Sequence, residues 1–283
     1  MRRPIVFIAA IAALALVAII AIRVRNGRAD PVRRTAAIAL PDWPRGAAPV
    51  RVMLLSDLHY GNWSTDRARL ERVVAQVAAA RPDLVLIAGD LLAGYGRDDA
   101  PARAQEVAAA LGRLAPPLGT FVVFGNHDAE VGDVLRHALA KAGIHATENV
   151  AVRAGPLGLG LSGDTAAGTA RLGPVFVGLD RLARRAPLAR VYLTHAPSLV
   201  QFLPADHALL LAGHTHCGQI VLPIVGPLIN VSRVDGNRYR CGLIRDGGRI
   251  VVVSAGIGTS NVPLRFGAPP DMWLLTLGPA ATR

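Results

Sequence analysis

The chain has 283 residues, of which 52% are hydrophobic, and its 31 basic and 20 acidic residues give a formal net charge of +11. This length allows one large domain or two small ones. The charge fits an anionic lipid surface or a phosphate-bearing substrate. Nucleic acid is not expected, because only 5% of the residues are aromatic and they are not interleaved with basic residues as base stacking requires. Two cysteines, Cys217 and Cys241, predict neither a disulfide framework nor a C-x-x-C metal site.

Residues 1–22 predict a membrane anchor. Ile5 to Ile22 form an apolar run without a charge, with Arg2 and Arg3 before it and Arg23 directly after it. The run is just long enough to span the hydrocarbon core. A cleaved signal peptide is the alternative, and the arginines that follow at once disfavour it. The larger number of arginines after the run favours a single-pass anchor with the folded domain on the cytoplasmic side.

The rest of the chain divides into a linker and one domain. Residues 23–49 carry Arg, Pro and Gly without periodicity, which predicts a linker. From residue 50 to residue 283, short apolar runs alternate with segments of helical period, and no second linker interrupts them. This alternation predicts an α/β domain with two packed sheets over residues 50–283.

Short apolar runs predict strands, and longer runs with apolar residues at helical spacing predict helices. The predicted strands cover residues 51–55, 84–88, 120–124, 151–153, 157–161, 174–179, 191–194, 208–212, 238–244, 249–254 and 272–277. The predicted helices cover residues 66–80, 100–114 and 130–142. Open α/β sheets bind their ligands where strands give way to loops, so the strand ends are the places to search for a site.

Polar residues follow five of the predicted strands. They are Asp57, His59, Asp90, Asn126, His127, His195, His214 and His216. Only three of the eight histidines lie elsewhere, which favours a metal site over scattered core histidines. Two carboxylates, one amide oxygen and four imidazoles suffice for two divalent ions that share one aspartate. Mixed nitrogen and oxygen ligands suit Mn, Fe or Zn better than Mg or Ca.

The order of these motifs resembles the calcineurin-like metallophosphoesterase superfamily. The chain carries D-x-H at Asp57, G-D at Asp90, G-N-H-D at Asn126, a single histidine at His195 and G-H-x-H at His214. The resemblance implies a four-layer α/β/β/α sandwich, a pair of divalent metal ions and hydrolysis of a phosphate ester.

A narrower resemblance, to membrane-associated bacterial phosphodiesterases, rests on the C-terminal part of the chain. The matching residues are Gly213–Gln219 and Gly258–Ser260, followed by Pro263 and Arg265. Some members of that branch and its neighbours hydrolyse UDP-2,3-diacylglucosamine during lipid A synthesis. The resemblance therefore implies a glycolipid or nucleotide-sugar substrate and a place at the bacterial inner membrane.

Position by position, the superfamily resemblance implies two groups of metal ligands around one bridging residue. Asp57, His59 and His216 would hold the first metal, Asn126, His195 and His214 the second, and Asp90 would bridge both. His127 would donate a proton to the leaving oxygen, with a structural hydrogen bond as the alternative. Arg265, or else Arg238 or Arg240, would bind a substrate phosphate through its planar guanidinium, with a surface arginine as the alternative.

Two positions depart from the family pattern. Ala93 stands where many relatives carry an aspartate that orients the proton-donating histidine, and Asp128 is a substitute to examine. Cys217 stands where relatives often carry glycine, and we expect a small residue that lines the site.

Three functions compete at this point. The first is a membrane-anchored phosphodiesterase or pyrophosphatase that acts on a lipid-linked or nucleotide-sugar substrate. The second is a broad-specificity phosphomonoesterase, including a protein phosphatase. The third is a non-catalytic, membrane-tethered module whose metal site has decayed, which the complete ligand set disfavours.

Overall fold

The structure is a computed structural model, and it describes residues 26–94, 98–205, 209–228 and 237–279 together with Leu14, Val17, Ala21 and Ile22. Within this part of the chain, no helix combines the length and the apolar character needed to cross a membrane. The predicted anchor over residues 1–22 lies outside the described residues except for those four positions, so it stays a prediction.

The described residues form four α-helices and fourteen strands. The helices are α1 (Arg67–Ala80), α2 (Ala100–Gly112), α3 (Gly132–Lys141) and α4 (Leu172–Arg185). The strands are β1 (Val32–Leu40), β2 (Val50–Leu55), β3 (Leu84–Ala88), β4 (Thr120–Val123), β5 (His145–Ala146), β6 (Val150–Ala154), β7 (Leu157–Leu161), β8 (Ala189–Leu193), β9 (Leu209–Ala212), β10 (Val221–Leu222), β11 (Gly226–Pro227), β12 (Gly242–Asp246), β13 (Arg249–Val253) and β14 (Asp271–Pro279).

Two six-stranded sheets form the centre of the molecule. Their strand orders are β1-β14-β2-β3-β4-β5 and β12-β13-β9-β8-β7-β6. Strands β2 to β5 run parallel in the first sheet, and β7, β8, β9 and β13 run parallel in the second. The carboxyl ends of parallel neighbours therefore meet at one edge of each sheet.

Three hydrophobic clusters separate the layers. Because successive strand residues point to opposite faces, Met53 and Leu55 of β2 pack with the helices α1, α2 and α3, whereas Val52 and Leu54 pack against the second sheet. On the outer face of the second sheet, Tyr192 packs with Leu179 of α4. The layers follow one another as α/β/β/α, and the predicted α/β class with two packed sheets is confirmed.

The predicted strand over residues 174–179 is wrong, because this segment lies inside the helix α4. Its apolar, partly β-branched composition favours a strand locally. In the structure, Val175 and Leu179 lie four residues apart and are both fully buried. They pack against the glycines of β7: a methyl group on Gly160 would lie 2.8 Å from Val175, and one on Gly158 would lie 3.1 Å from Leu179. Packing against these glycines therefore makes the segment a helix rather than a strand.

The predicted linker over residues 23–49 also needs correction, because it contains the strand β1. This edge strand pairs in parallel with β14 over its whole length, from Val32 opposite Asp271 to Leu40 opposite Pro279. Apart from Ile38 and Leu40, its residues are not buried, so its sequence lacks the alternation that reveals a half-buried strand. Arginines on this strand are typical of an edge that avoids further pairing.

Candidate metal centre

The eight polar residues predicted from strand ends converge between the two sheets. Asp57 and His59 follow β2, Asp90 follows β3, Asn126 and His127 follow β4, His195 follows β8, and His214 and His216 follow β9. Three sets of side chains place their ligand atoms within 4.8 Å of one another. These sets are Asp57 with His59 and His216, His59 with Asp90 and His127, and Asp57 with Asp90 and His195.

The backbone is strained at five of the predicted ligands. Their φ values are +50° at Asp57, +45° at His59, +52° at Asp90, +71° at His214 and +48° at His216. Non-glycine residues seldom adopt this left-handed region, and such conformations persist only where the surrounding structure enforces them. The loops give up local stability in order to direct these side chains into one place.

The first predicted ligand group is compact. The Nε2 atoms of His59 and His216 lie 3.1 Å apart, and the Oδ1 atom of Asp57 lies 3.9 Å and 3.4 Å from them, respectively. The other carboxylate oxygen of Asp57 accepts a hydrogen bond of 3.0 Å from the backbone N–H of His214. Asp57 therefore presents Oδ1 to the centre while Oδ2 ties the loops after β2 and β9 together.

The second predicted group is built around His195 and Asp90. His195 Nε2 lies 3.2 Å from Asp90 Oδ2 and 3.1 Å from His214 Nδ1. Its other ring nitrogen faces the carbonyl oxygen of Ala88 at 2.7 Å, which fixes the orientation of the ring. Asp90 Oδ2 also lies 3.6 Å from His59 Nε2. Asp90 thus stands between the two groups, as a bridging ligand must.

Two buried oxygens have the character of unpaired metal ligands. Asp57 Oδ1 and Asn126 Oδ1 are buried and accept no hydrogen bond from any described residue. A buried polar atom without a partner is costly and calls for an explanation such as an ion. One orphaned oxygen belongs to each predicted ligand group, so both groups fit a bound cation.

The protonation of the centre also fits cations. Burial lowers the pKa of His59 to about 3 and that of His214 to about 4, so both rings are neutral, which is the form that binds metals. Burial lowers the pKa of His195 too, but the carboxylates of Asp90 and Asp57 outweigh it and raise the pKa well above its usual value. Positive charge is thus favoured at this position, as a bound metal cation would supply it.

Glycines make room for this crowded arrangement. A methyl group on Gly125 would lie 2.2 Å from Asp90 Oδ1, and one on Gly213 would lie 2.5 Å from Asp57 Oδ2. Contacts below 3.0 Å are essentially never seen for Cβ atoms, so neither position accepts a side chain without a shift. The glycines before Asn126 and His214 are therefore part of how the chain builds the centre.

A model of the calcineurin-like phosphoesterase family matches residues 50–218. The chain belongs to this family. It is 33% identical to the phosphodiesterase YaeI of Escherichia coli, over 82% of this chain and 83% of that protein. It is 30% identical to the metallophosphoesterase YkuE of Bacillus subtilis, over 83% of this chain and 81% of that protein. A transmembrane protein with a metallophosphoesterase domain from Danio rerio is 29% identical, and the match covers 83% of this chain and 54% of that protein.

His127 of this phosphoesterase stands at the mouth of the centre. Its backbone N–H donates to Asp90 Oδ1 at 2.9 Å, and its ring stands edge-on to that of His59, with 4.8 Å between the ring centroids. None of the described residues hydrogen-bonds its ring nitrogens. Gly94 lies against the ring, because a methyl group there would lie 2.6 Å from Nδ1. Among the described residues, the loop after β3 thus holds the backbone of His127 by a hydrogen bond to Asp90 but touches its ring without one.

Asp128 does not replace the family's aspartate. Its buried carboxylate accepts hydrogen bonds from the backbone N–H groups of Leu91, Leu92 and Gly125. Burial, reinforced by the charge of Asp90, raises the pKa of Asp128 to about 7. Asp128 therefore joins the loops after β3 and β4, and the suggestion that it orients His127 is wrong.

Arg265 does not face a substrate. The side chain is only 1% exposed, and its guanidinium donates to the carbonyl oxygens of Ala255, Gly258 and Ala268, among others. Its Nη2 atom also lies 3.2 Å from Nδ1 of His216. The predicted phosphate contact is corrected accordingly: Arg265 supports the loop that carries the predicted ligand His216.

The two cysteines form a disulfide, which the sequence did not predict. The sulfur atoms of Cys217 and Cys241 are bonded, and the Cα atoms lie 5.0 Å apart. The bond fastens the residue after His216 to the residue before β12. Neither C-x-x-C spacing nor a larger cysteine count announces such a pair, because only the fold brings the two loops together.

A cavity of about 180 Å³ opens over the centre. Beside the predicted ligands, its lining includes Gln219, Ser260, Asn261 and Val262. The side-chain amide of Gln219 donates to the carbonyl oxygen of Val262 at 2.8 Å and accepts from the N–H of Ser260 at 2.9 Å. Sequence reasoning assigned these residues no role, although Gln219 ends the motif that begins at Gly213.

Proposed function

We propose that this protein is a membrane-anchored phosphodiesterase or pyrophosphatase that uses two divalent ions, Mn, Fe or Zn, bound by the residues described above. The observation that carries the proposal is the convergence of two ligand groups on Asp90, each with one buried and unpaired oxygen. The name of the relative YaeI, a phosphodiesterase, supports the reaction class. Mixed imidazole and oxygen ligands support the choice of ions.

Bound divalent ions supply a Lewis acid for phosphoryl oxygens and an acidified water. The protein residues do the rest. At the base of the cavity, Asp57 and Asp90 contribute two negative charges, and Asn126 contributes a neutral oxygen. Two bound divalent cations would outweigh these charges, so the site would present net positive charge to the substrate phosphate. Water adds its oxygen to phosphorus and loses a proton to the solvent, the bond to the leaving oxygen breaks, and that oxygen takes a proton from the ring of His127, which the solvent then replaces. None of the described residues hydrogen-bonds the nitrogens of this ring. Proton donation of this kind contributes typically about 10²–10⁴-fold.

The surroundings of His127 support a substrate with a good leaving group. Ala93 supplies no carboxylate to stabilise the protonated ring, so general-acid help is weaker than a histidine–aspartate pair would give. A leaving nucleotide phosphate needs little protonation. This supports a nucleotide-sugar or lipid-linked pyrophosphate, such as UDP-2,3-diacylglucosamine, as the substrate.

Membrane attachment through residues 1–22 is part of the proposal. The apolar run supports it, as does the name of the Danio rerio relative. The side of the membrane is a separate matter. The arginine balance supports a cytoplasmic domain, whereas the bond between Cys217 and Cys241 supports the outer face, because disulfides persist in oxidising compartments. Labelling of acid-quenched cells with a maleimide distinguishes the two sides of the membrane. Cysteines that react at once mean a cytoplasmic domain. Cysteines that react only after reduction mean a domain at the outer face.

Phosphoesterase assays separate the three functions. The full chain is purified, reconstituted with Mn, Fe or Zn, and assayed with bis-p-nitrophenyl phosphate and with p-nitrophenyl phosphate. We expect cleavage of the diester. Cleavage of the monoester alone means a phosphomonoesterase, and cleavage of neither means a non-catalytic module. Asp90→Ala is the control, and activity that survives it contradicts the proposed site. Turnover of UDP-2,3-diacylglucosamine in extracts of a deletion strain, compared with the parent, tests the substrate.

A further inference from the structure

An apolar hairpin stands beside the metal centre. Strands β10 and β11 pair in antiparallel fashion through the turn at residues 223–225. Three large apolar side chains of the hairpin point to solvent: Ile224 is 107% exposed, Val225 70% and Leu228 56%. Single exposed apolar residues are common, but three within five positions form a patch that marks an interaction site.

The tip of the hairpin is not built for a turn in water. Ile224 has a φ of +69°, a conformation that suits glycine or asparagine and is an outlier for a β-branched residue. The chain thus retains both backbone strain and exposed apolar surface at one position. Neither helps the hairpin to fold, so the side chain is best explained by contact with an apolar partner.

The base of the hairpin is fixed to the loop that lines the substrate cavity. The N–H of Val221 donates to the carbonyl oxygen of Phe266 at 2.8 Å, and the N–H of Leu228 donates to that of Ile220 at 2.9 Å. Gln219, directly before the hairpin, holds Ser260 and Val262 through its side-chain amide. The apolar tip therefore has a fixed place relative to the mouth of the cavity.

The chain that follows the apolar run at residues 5–22 meets the same loop. A methyl group on Gly27 would lie 2.9 Å from the carbonyl oxygen of Pro263, so the two backbones are in close contact. Arg69 donates from one nitrogen to the carbonyl oxygens of Ala29 at 2.6 Å and Ile257 at 2.8 Å. The loop over residues 257–266 thus contacts both the hairpin and the chain segment that follows the apolar run.

A tryptophan beside that exit has the character of an interfacial residue. Trp63 is 50% exposed, and the guanidinium of Arg28 lies 5.1 Å from the centre of its ring. It lines the same recess as Ala21, near the end of the apolar run. Tryptophan is enriched where proteins meet the water–lipid boundary.

We propose that the hairpin, residues 220–228, inserts its tip into the lipid surface that residues 5–22 are predicted to enter, so that the mouth of the metal centre faces the headgroups and the substrate is a phosphodiester or pyrophosphate carried by a lipid. This inference rests on the proposed function for its anchor and its reaction. A net charge of +11 complements anionic headgroups, which supports a bilayer over a second copy of this equally charged chain.

Fluorescence quenching tests the contact without any need for activity. Ile224→Trp and, as a matched control, Val177→Trp are prepared in the full chain; Val177 is 55% exposed on α4, in the outer layer of the second sheet. Each protein is bound to vesicles of phosphatidylcholine and phosphatidylglycerol with or without brominated acyl chains, and the emission of the parent protein is subtracted. We expect brominated lipid to remove most of the added emission of Ile224→Trp and little of that of Val177→Trp.

Equal emission losses in the two variants, or none in either, overturn the insertion of the hairpin. Emission from Ile224→Trp that changes with protein concentration, without vesicles, overturns it in favour of a second copy. Failure of the parent protein to sediment with vesicles overturns the anchor, which is a failure of the proposed function and is distinct from that of the hairpin.

Activity provides an independent readout. Ile224→Asp removes the burial of one large aliphatic side chain, so hydrolysis of a p-nitrophenyl phosphodiester of diacylglycerol embedded in these vesicles should fall by roughly tenfold or more relative to hydrolysis of soluble bis-p-nitrophenyl phosphate. Val177→Asp should leave that ratio unchanged. An equal loss on both substrates in Ile224→Asp would overturn the proposal, because the hairpin would then act on the site itself.

Discussion

Gly125→Ala should disable the metal centre while it leaves the fold in place. The added methyl group would lie 2.2 Å from Oδ1 of Asp90, with a second contact of 2.8 Å to the ring of His195. To restore even the shortest tolerated separation, the carboxylate must move by about 1 Å, and a misplacement of that size in a catalytic group costs about 10²-fold in rate. The displaced oxygen is the one that accepts the N–H of His127 at 2.9 Å.

The matched control is Gly173→Ala, because a methyl group on this glycine of α4 meets nothing within 4 Å. Stability should change by less than about 1 kcal/mol in either direction, because alanine is the better helix former but the following Pro174 disfavours a helical residue that carries a Cβ. Both variants are assayed for hydrolysis of bis-p-nitrophenyl phosphate, for metal content and for Tm. We expect Gly125→Ala to lose activity and bound metal with a modest loss of Tm.

Activity and metal content in Gly125→Ala equal to those of the parent protein would contradict this role of Gly125. A collapse of Tm below that of the metal-free parent would show instead that the glycine serves the fold rather than the centre. In the first case, the position of Asp90 would not limit the reaction.

His127, Arg265 and the predicted metal ions can each be tested separately. His127→Ala should slow the cleavage of diesters with alkyl leaving groups by about 10²–10⁴-fold. It should hardly slow the cleavage of p-nitrophenyl esters, whose leaving group needs no proton. Equal losses of rate on both substrates would contradict the role of His127 as a proton donor. Arg265→Lys should lower the free energy of unfolding by about 3 kcal/mol, since buried carbonyl oxygens lose their donors. In thermal denaturation, the control Arg245→Lys should be neutral, because Arg245 is exposed. A raised KM with unchanged Tm in Arg265→Lys would restore the substrate role of Arg265. Removal of metal with a chelator should abolish hydrolysis and lower Tm, because it leaves Asp57 and Asn126 with unpaired buried oxygens. Returning Mn should restore both the activity and the Tm. Full activity of the chelated protein would rule out the metal mechanism.

Local patterns in the chain were enough to locate most of the fold. Apolar runs such as Leu84–Ala88 and Leu157–Leu161 coincide with the observed strands β3 and β7, because a strand buried on both faces must be apolar throughout or carry glycine where a helix packs. The polar residues at the strand ends were also found from the sequence, since parallel strands of one sheet put their carboxyl ends at one edge.

Other features depend on partners far away in the chain. The edge strand β1 pairs with β14, near the opposite end of the chain, and its own pattern is too exposed to reveal it. Residues 174–179 are helical because the glycines of β7 accept Val175 and Leu179.

The amino-acid sequence shows which residue types are available for a metal site and where along the chain they stand. The roles of these residues depend on how the loops pack in the folded protein. Arg265 looked like a phosphate ligand, but its guanidinium is surrounded by backbone carbonyl oxygens, and Cys217 looked like a small lining residue until Cys241 was placed beside it. The physical reason is that a side chain's chemistry is fixed by its own atoms, whereas its direction, burial and neighbours are set by how separate loops pack together.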